Sequence, residues 1–527
     1  MRLLLDGHHL TLEDVRVAAT SPGHGGYGLA DSARDRMSES RRTMANLIDA
    51  GLPLYGVTTG FGDSSHRQIS PRDTAELQRN LLRFLRVGVG PIAPDPVLRA
   101  TMLIRANCLA RGDSAIRPEP VELMLNLLGF DILPMIPIQG SVGASGDLAP
   151  LSYLAAALTG EGSVRSAGIA IPAQVALAER NLSPVTLLAK EGLALVNGTS
   201  FMSAFAVLAA CEARELLWAA ELCTALATEI RASSTAQFAP FPHQRKPHPG
   251  QIATSARIHA LLAGSRLADR HVSEAHGVPA QGIHELARGV QDPYSIRCAP
   301  QVLGVLDDTL AWATDWLTVE INSSNDNPLF DTNTATVHYS GNFYGGHVAA
   351  AAQALSSAVA SVADLLDRQL QLMVDEKFNL GLPANLAPNA GMHHGFKGAQ
   401  IAASALTAEA LHLTMPAGSF SRSTESHNQD KVSMGTIAAR HTSTVLGLAT
   451  TVTAIHLLAL LQASDLVDAS KLAPATRAVY GHVREQVPFL RQDRPLDGDI
   501  AWATEEIRTG RMRAALAGAV VMPSRPG

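Results

Sequence analysis

HVAAAAQALSSAVASVADLLDRQLQLMVDE (347–376) is the stretch on which the fold class turns. Within it Leu355, Val359, Val362, Leu366, Leu370 and Met373 recur at steps of three and four residues. That is the period of an α-helix carrying one apolar stripe. Outward from it, residues 201–230 are also helical in pattern, with Glu212, Glu215, Glu221 and Glu229 interrupting an Ala-rich apolar surface. Residues 396–415 and 432–466 have a similar pattern. Several long helices joined by loops imply a mainly α protein built on a long central helical bundle. Composition agrees: 46% of the 527 residues are hydrophobic but only 5% aromatic, so Ala, Leu and Val must fill the core. Ala loses no side-chain entropy on entering a helix, which favours the same reading.

The chain before about residue 200 differs in texture. Gly and Pro break it in GLPLYGVTTGFGD (51–63), PIAPDP (91–96), DILPMIPIQGSVGASGDLAP (131–150) and VNGTS (196–200), which read as loops between moderate helices. Three domains are expected: a loop-rich N-terminal domain over residues 1–200, a central helical bundle over 201–470 and a short helical appendage over 471–527. The net charge of -6 and the lack of a basic cluster exclude a nucleic-acid-binding role. The four cysteines, Cys108, Cys211, Cys223 and Cys298, are scattered, as reduced thiols in a cytoplasmic protein would be. No apolar leader precedes the first charges. Between Arg440 and Asp465 no charged side chain occurs, long enough to cross a bilayer, but His441, His456 and several Thr and Ser suit a helix buried in a bundle better. His243 and His248, around PHPGQ (247–251), lack the spacing of a zinc site, and no metal is expected.

The chemistry concentrates in GSVGASGDLAPLSYLA (140–155). A tight turn here can bring the Gly146 nitrogen onto the Ala144 carbonyl carbon, an approach that glycine, lacking a side chain, does not block. Cyclisation with loss of water gives an imidazolone, and dehydration of Ser145 adds an exocyclic methylidene, a carbon electrophile that ordinary side chains do not supply. A plainer reading of the same residues is a Gly-rich turn capping a helix over 148–158, with Asp147 as the cap.

The extended string resembles the signature of the histidine, phenylalanine and tyrosine ammonia-lyases, which carry 4-methylideneimidazole-5-one made from Ala-Ser-Gly. Companion segments run through the chain in family order. YGVTTGFG (55–62) resembles the loop with the catalytic tyrosine, which implies that role for Tyr55. GLALVNGTS (192–200) implies Asn197 as the cofactor's hydrogen-bond partner and Leu193 beside the substrate. QDPYSIRCAPQVLG (291–304) carries over Gln291, Tyr294 and Arg297, with Arg297 as the bidentate carboxylate partner. NSSNDNPLF (322–330) brings Asn327, SGNFYGGHV (340–348) Phe343, LTAEALHL (406–413) Glu409 and HNQDKVSMGTIAAR (427–440) Gln429. Thr58 stands where many relatives have Asn. A phenol with its ordinary pKa near 10 is protonated at neutral pH, so a basic Tyr55 requires a depressed pKa.

Selectivity in this family resides partly in a dipeptide after an LQxNL helix. LQRNLLRFLRVG (77–88) places Phe84-Leu85 there, as phenylalanine-preferring relatives do. Phe84 offers no hydrogen bond to a phenol or imidazole. The resemblance therefore implies a cytoplasmic homotetramer with shared active sites, acting on a small aromatic amino acid and most similar to phenylalanine ammonia-lyase. Tyrosine ammonia-lyase and an aromatic 2,3-aminomutase are the alternatives.

Overall fold

The 347–376 stripe folds as the helix Gly346–Val374 in the computed structural model, which describes residues 2–23, 26–268, 279–286 and 289–525. The three other expected segments form the helices Ser200–Ile230, Lys397–His412 and Gly435–Val467. One long helix, Ala299–Ile321, lies where the sequence displays only a motif. Gly346–Val374 and Gly435–Val467 are long and apolar enough to cross a membrane, yet their most apolar windows are 67% and 78% buried within the protein itself.

The chain divides into two compact units, each assembled from separated segments. Unit 1 comprises Met1–Cys211, Ala313–Gln353 and Met415–Ser443. Unit 2 comprises Glu212–Trp312, Ala354–Thr414 and Thr444–Gly527.

Unit 1 is built around the helix Asp95–Ala110, buried from Val97 to Ala110 and packed against the helices Leu12–Thr20 and Pro118–Gly129. Short strands edge it. Leu3–Leu5 pairs in parallel with Tyr27–Leu29, and Val89–Ile92 runs antiparallel to Pro137–Gln139. A three-stranded antiparallel sheet joins Leu133–Pro134, Ser163–Ser166 and Ile169–Pro172. Leu54 and Val57, either side of Tyr55 in sequence, sit in an apolar cluster with Met44, Ala115 and Phe330. Each such fully buried side chain contributes about 1.5–3 kcal/mol, so the loop that carries Tyr55 is anchored from below.

Buried amides tie unit 2 together. The Gln369 side chain donates to Thr224 Oγ1 (3.0 Å) and to the Ser295 carbonyl (2.8 Å), while its Oε1 meets His456 Nε2 at 3.2 Å. Burial pushes the His456 imidazole down to about 3, so it is neutral at ordinary pH. Gln462 bridges the Leu386 carbonyl and both backbone groups of Leu490.

Glu229, at the end of Ser200–Ile230, caps another helix. Its carboxylate accepts from the Ala473 N–H (2.6 Å) and the Thr476 hydroxyl (2.6 Å), at the start of Pro474–Arg484. Glu229→Ala would strand the buried Ala473 N–H, while the Thr476 hydroxyl could fall back on the Ala473 carbonyl, and we expect a loss of about 1–3 kcal/mol in urea-denaturation experiments. An unchanged midpoint would show that the cap is replaceable by solvent.

Candidate active site

The loop 141–147 takes its shape from two glycines and from chain segments far away in sequence. Gly143 and Gly146 have φ of +69° and +70°, which favours residues without a Cβ. A Cβ on Gly146 would overlap the carbonyl of Gly198, to which the Asp147 N–H also donates (2.7 Å). From the next residue back, the Asn197 side-chain amide donates to the Ser145 carbonyl at 3.0 Å. On the other side the Met434 N–H donates to the Val142 carbonyl (3.0 Å) and the Ser433 hydroxyl to the Gly143 carbonyl (3.1 Å).

The helix Leu148–Leu158 forms as expected, but Asp147 does not cap it with its side chain. Instead the Asp147 carboxylate accepts from the N–H groups of Phe201 (3.0 Å) and Met202 (2.8 Å) and from the Thr436 hydroxyl (2.6 Å). Asp147 therefore caps Ser200–Ile230, whose exposed first-turn donors favour a negative charge. Burial nevertheless raises its carboxyl to about 6.

A cavity of about 680 Å³ opens over this loop within unit 1. Ala144, Ser145 and Asn197 lie on its wall, with Tyr55 and Leu193. Phe84 and Leu85 come from the end of the helix Thr74–Leu85, and Asn327, Phe343 and Gln429 also line the cavity; of the expected residues in this unit, Gly146 alone is not on the wall. Phe84 is 59% exposed, which excludes its being a core residue of an amphipathic helix. Asn327 Oδ1 accepts from the Ser340 N–H (2.8 Å), and Gln429 pairs with Thr424 through backbone and side chain.

Tyr55 accepts the Gly62 N–H at 2.9 Å. Its pKa is raised, not depressed as the chemistry expected from the sequence requires. Burial is the main cause and the nearby Glu425 adds to it, while the Gly62 N–H opposes them. One side chain ties the surroundings together. Buried Gln78 donates to the Gly56 carbonyl (2.9 Å) and accepts from the Leu193 N–H (2.9 Å). The helix bearing Phe84, the loop bearing Tyr55 and the turn bearing Asn197 thus share one fixed amide.

The aromatic amino acid lyase profile matches residues 10–485. The chain belongs to that family. It is 41% identical over 524 residues to a tyrosine ammonia-lyase of Cupriavidus metallidurans, covering 98% of each chain. It is 38% identical to a histidine ammonia-lyase of Sorangium cellulosum, covering 98% of this chain and 99% of the relative. The crystal structure of tyrosine aminomutase from Streptomyces globisporus superposes with a TM-score of 0.93 at 35% identity, over 99% of this chain and 100% of that one. Phenylalanine is in none of these three names.

The rest of the expected set lies in unit 2 of this lyase-family chain, and none of it lines the cavity in unit 1. Gln291 and Glu409 are exposed, and Tyr294 is 71% exposed. The Arg297 guanidinium lies over the Tyr294 ring, 4.5 Å from its centre, and its buried Nε has no hydrogen-bond partner among the described residues. Of the two carboxylates that line the cavity, Glu425 and Asp430, the one that acts on Tyr55 is Glu425, hydrogen-bonded by Asn428 (3.0 Å). The sequence motif at this loop begins only at His427, which leaves Glu425 outside it. Its clearest trace is Gly62, where a Cβ would collide with the Glu425 carboxylate. His243, considered as a metal ligand, is held between the Gln237 carbonyl (3.0 Å) and the Gln251 amide (3.0 Å). Among the described residues no group of three or more His, Cys, Asp or Glu is placed to hold a metal.

The glycines permit an internally controlled test. Gly146→Ala meets both a positive φ and the Gly198 backbone, so a loss of at least about 1–3 kcal/mol is expected. Gly481→Ala, in a helix with open space at its Cβ, should instead stabilise by about 0.5–1 kcal/mol. Equal effects of the two changes in chemical denaturation would contradict the close approach at Gly146.

Proposed function

We propose that the chain eliminates ammonia from an aromatic L-amino acid, with L-phenylalanine giving trans-cinnamate as the preferred reaction. The observation that carries this reading is Phe84 on the cavity wall with Tyr55 and Ser145. An apolar ring at that point offers a phenol or imidazole no hydrogen bond. An added hydroxyl is rejected only weakly by such a pocket, about a hundredfold, so side activity on tyrosine is expected.

Ala144, Ser145 and Gly146 fit the methylideneimidazolone. The ring would keep the Ser145 carbonyl oxygen, and Asn197 already donates to that atom, where negative charge would develop. Gly146 supplies a nitrogen unshielded by a Cβ. Formed from these residues, the ring supplies an exocyclic carbon electrophile.

The chain's own side chains do the rest. The Tyr55 phenolate takes the β-proton and becomes the phenol; the electrons of that C–H bond form the Cα=Cβ bond, and the C–N electrons leave with the nitrogen of the substrate ammonium as ammonia. Phe84, Leu85 and Leu193 hold the aromatic ring, and Glu425 faces the polar end of the cavity. Tyr55 needs a cation to offset burial and Glu425. Lys431 lines the same cavity and can supply it; we assign Arg297 of another copy of the chain to the substrate carboxylate, with Tyr294, Gln291 and Glu409 arriving beside it in a homotetramer. This assignment rests on the family resemblance and on the exposure of Tyr294 and Gln291. Tyrosine as substrate is the second reading, favoured by the similarity to a tyrosine ammonia-lyase. Aminomutase activity is favoured by the structural likeness to tyrosine aminomutase, and chiral analysis of the products would reveal β-amino acid.

If Ser145 supplies the methylidene carbon, Ser145→Ala should fold and lose nearly all turnover, and the intact wild-type mass should fall two waters short of the sequence mass. A full-mass, fully active protein would overturn the reading.

Phe84→His places a hydrogen-bonding ring beside the substrate. The tyrosine-to-phenylalanine ratio of kcat/KM should rise about 10-fold, roughly 1.4 kcal/mol in transition-state binding. An unchanged ratio in an active variant would remove the support for phenylalanine and leave the lyase assignment standing.

A further inference from the structure

Unit 2 holds a second cavity, of about 340 Å³, built on one face of each of two helices. Leu217 and Trp218 face it from Ser200–Ile230, and Leu310 and Ala311 from Ala299–Ile321. These four give it an apolar floor. The Trp218 side chain is only 7% exposed, and its indole Nε1 is buried with no hydrogen-bond partner among the described residues. A buried donor left unpaired is rare in folded proteins, and a cavity beside it is where a partner would sit.

Three arginines stand on the rim. Arg214 is exposed, Arg513 comes from the short helix Arg511–Ala514, and Arg525 from the terminal segment. Neighbouring carboxylates orient two of these guanidiniums: Glu215 holds Arg513 at 2.8 Å, and Arg525 bridges Asp307 and Asp308, the latter at 2.6 Å. A guanidinium has five N–H donors, and such pairs engage only some of them. The lining carboxylates Glu221 and Asp307 are themselves bound by Arg257, at 2.6 and 2.9 Å. They therefore do not make the cavity anionic.

We propose that this cavity binds a small monocarboxylate with an apolar or aromatic body. Its carboxylate accepts from the Trp218 indole N–H and the rim arginines, and its body lies on Leu217, Leu310 and Ala311. The volume is at the small end of ligand pockets, enough for one ring and a short chain. Acids of that shape include arylpropanoates and arylacrylates. The site uses none of the residues lining the cavity over Ser145, and the proposal stands whether or not the reading of that cavity holds.

The test uses the full chain labelled with 5-fluorotryptophan, followed by fluorine NMR. Titration with 3-phenylpropanoate should move one resonance saturably, and Trp218→Phe identifies it. Arg513→Met, on the surface and outside the other cavity, should weaken that titration about tenfold or more, and benzyl alcohol should not reproduce it. If Trp218→Phe does not fold, crystals soaked with 3-(4-bromophenyl)propanoate should show an anomalous peak beside Trp218. No shift and no peak up to about 10 mM, or a shift that Arg513→Met leaves unchanged, overturns the proposal.

Discussion

Gly146 packs on Gly198, and Gly198 packs on Arg105, so that neither glycine position tolerates a side chain. A Cβ on Gly146 would enter the Gly198 carbonyl, and one on Gly198 would enter the guanidinium of buried Arg105. That double exclusion brings two backbone turns into register. It lets the Asp147 N–H reach the Gly198 carbonyl, puts Asn197 over the Ser145 carbonyl, and sets the Asp147 carboxylate at the head of Ser200–Ile230. Losing the close approach would disconnect the candidate electrophile loop from the helix that orients it.

The surroundings convert buried polarity into rigidity. Arg105 is fully buried; it donates to Asn325 Oδ1 (2.9 Å) and to the Ala194 carbonyl, just before the Asn197 turn. Asn325 in turn donates to Thr199 (2.9 Å), just after that turn. Lys190 and Asp326 form a fully buried ion pair beside the same segment. Such pairs add little net stability against an apolar core, but breaking one leaves an uncompensated charge. The consequence is positional: alternative arrangements of residues 190–199 would each strand a buried charge or amide, so the turn has one arrangement.

Much of this is legible in the sequence, and the misses have physical causes. The stripe from Leu355 to Met373 foretells Gly346–Val374 closely because burial on one face forces a 3.6-residue period. The helix Ala299–Ile321 is masked because its first residues sit inside a chemically conspicuous motif. Asp147 reads as the cap of the helix beginning next to it; which helix a carboxylate caps depends on what the fold brings near, and Thr436 and Phe201 come from elsewhere in the chain. A lowered Tyr55 pKa follows from the needs of the chemistry alone. Its actual direction is set by burial and by Glu425, neither of which a string of letters displays. Phe84 is ambiguous in sequence between core and cavity, since both uses place an apolar residue at the end of an amphipathic helix, and exposure separates them.

The clamp on loop 141–147 also carries a schedule. Its contacts come from Gly198 and Phe201, made some fifty residues later in synthesis, and from Ser433, Met434 and Thr436, made nearly three hundred residues later. A ribosome that has delivered Ala144, Ser145 and Gly146 has not yet delivered the groups that bend them. The full set of contacts on the loop can therefore form only after the segment around residue 436 has emerged and folded back. Any reaction that depends on that shape is a late event in the life of the chain, and a prematurely terminated fragment contains the three residues without the means to strain them together.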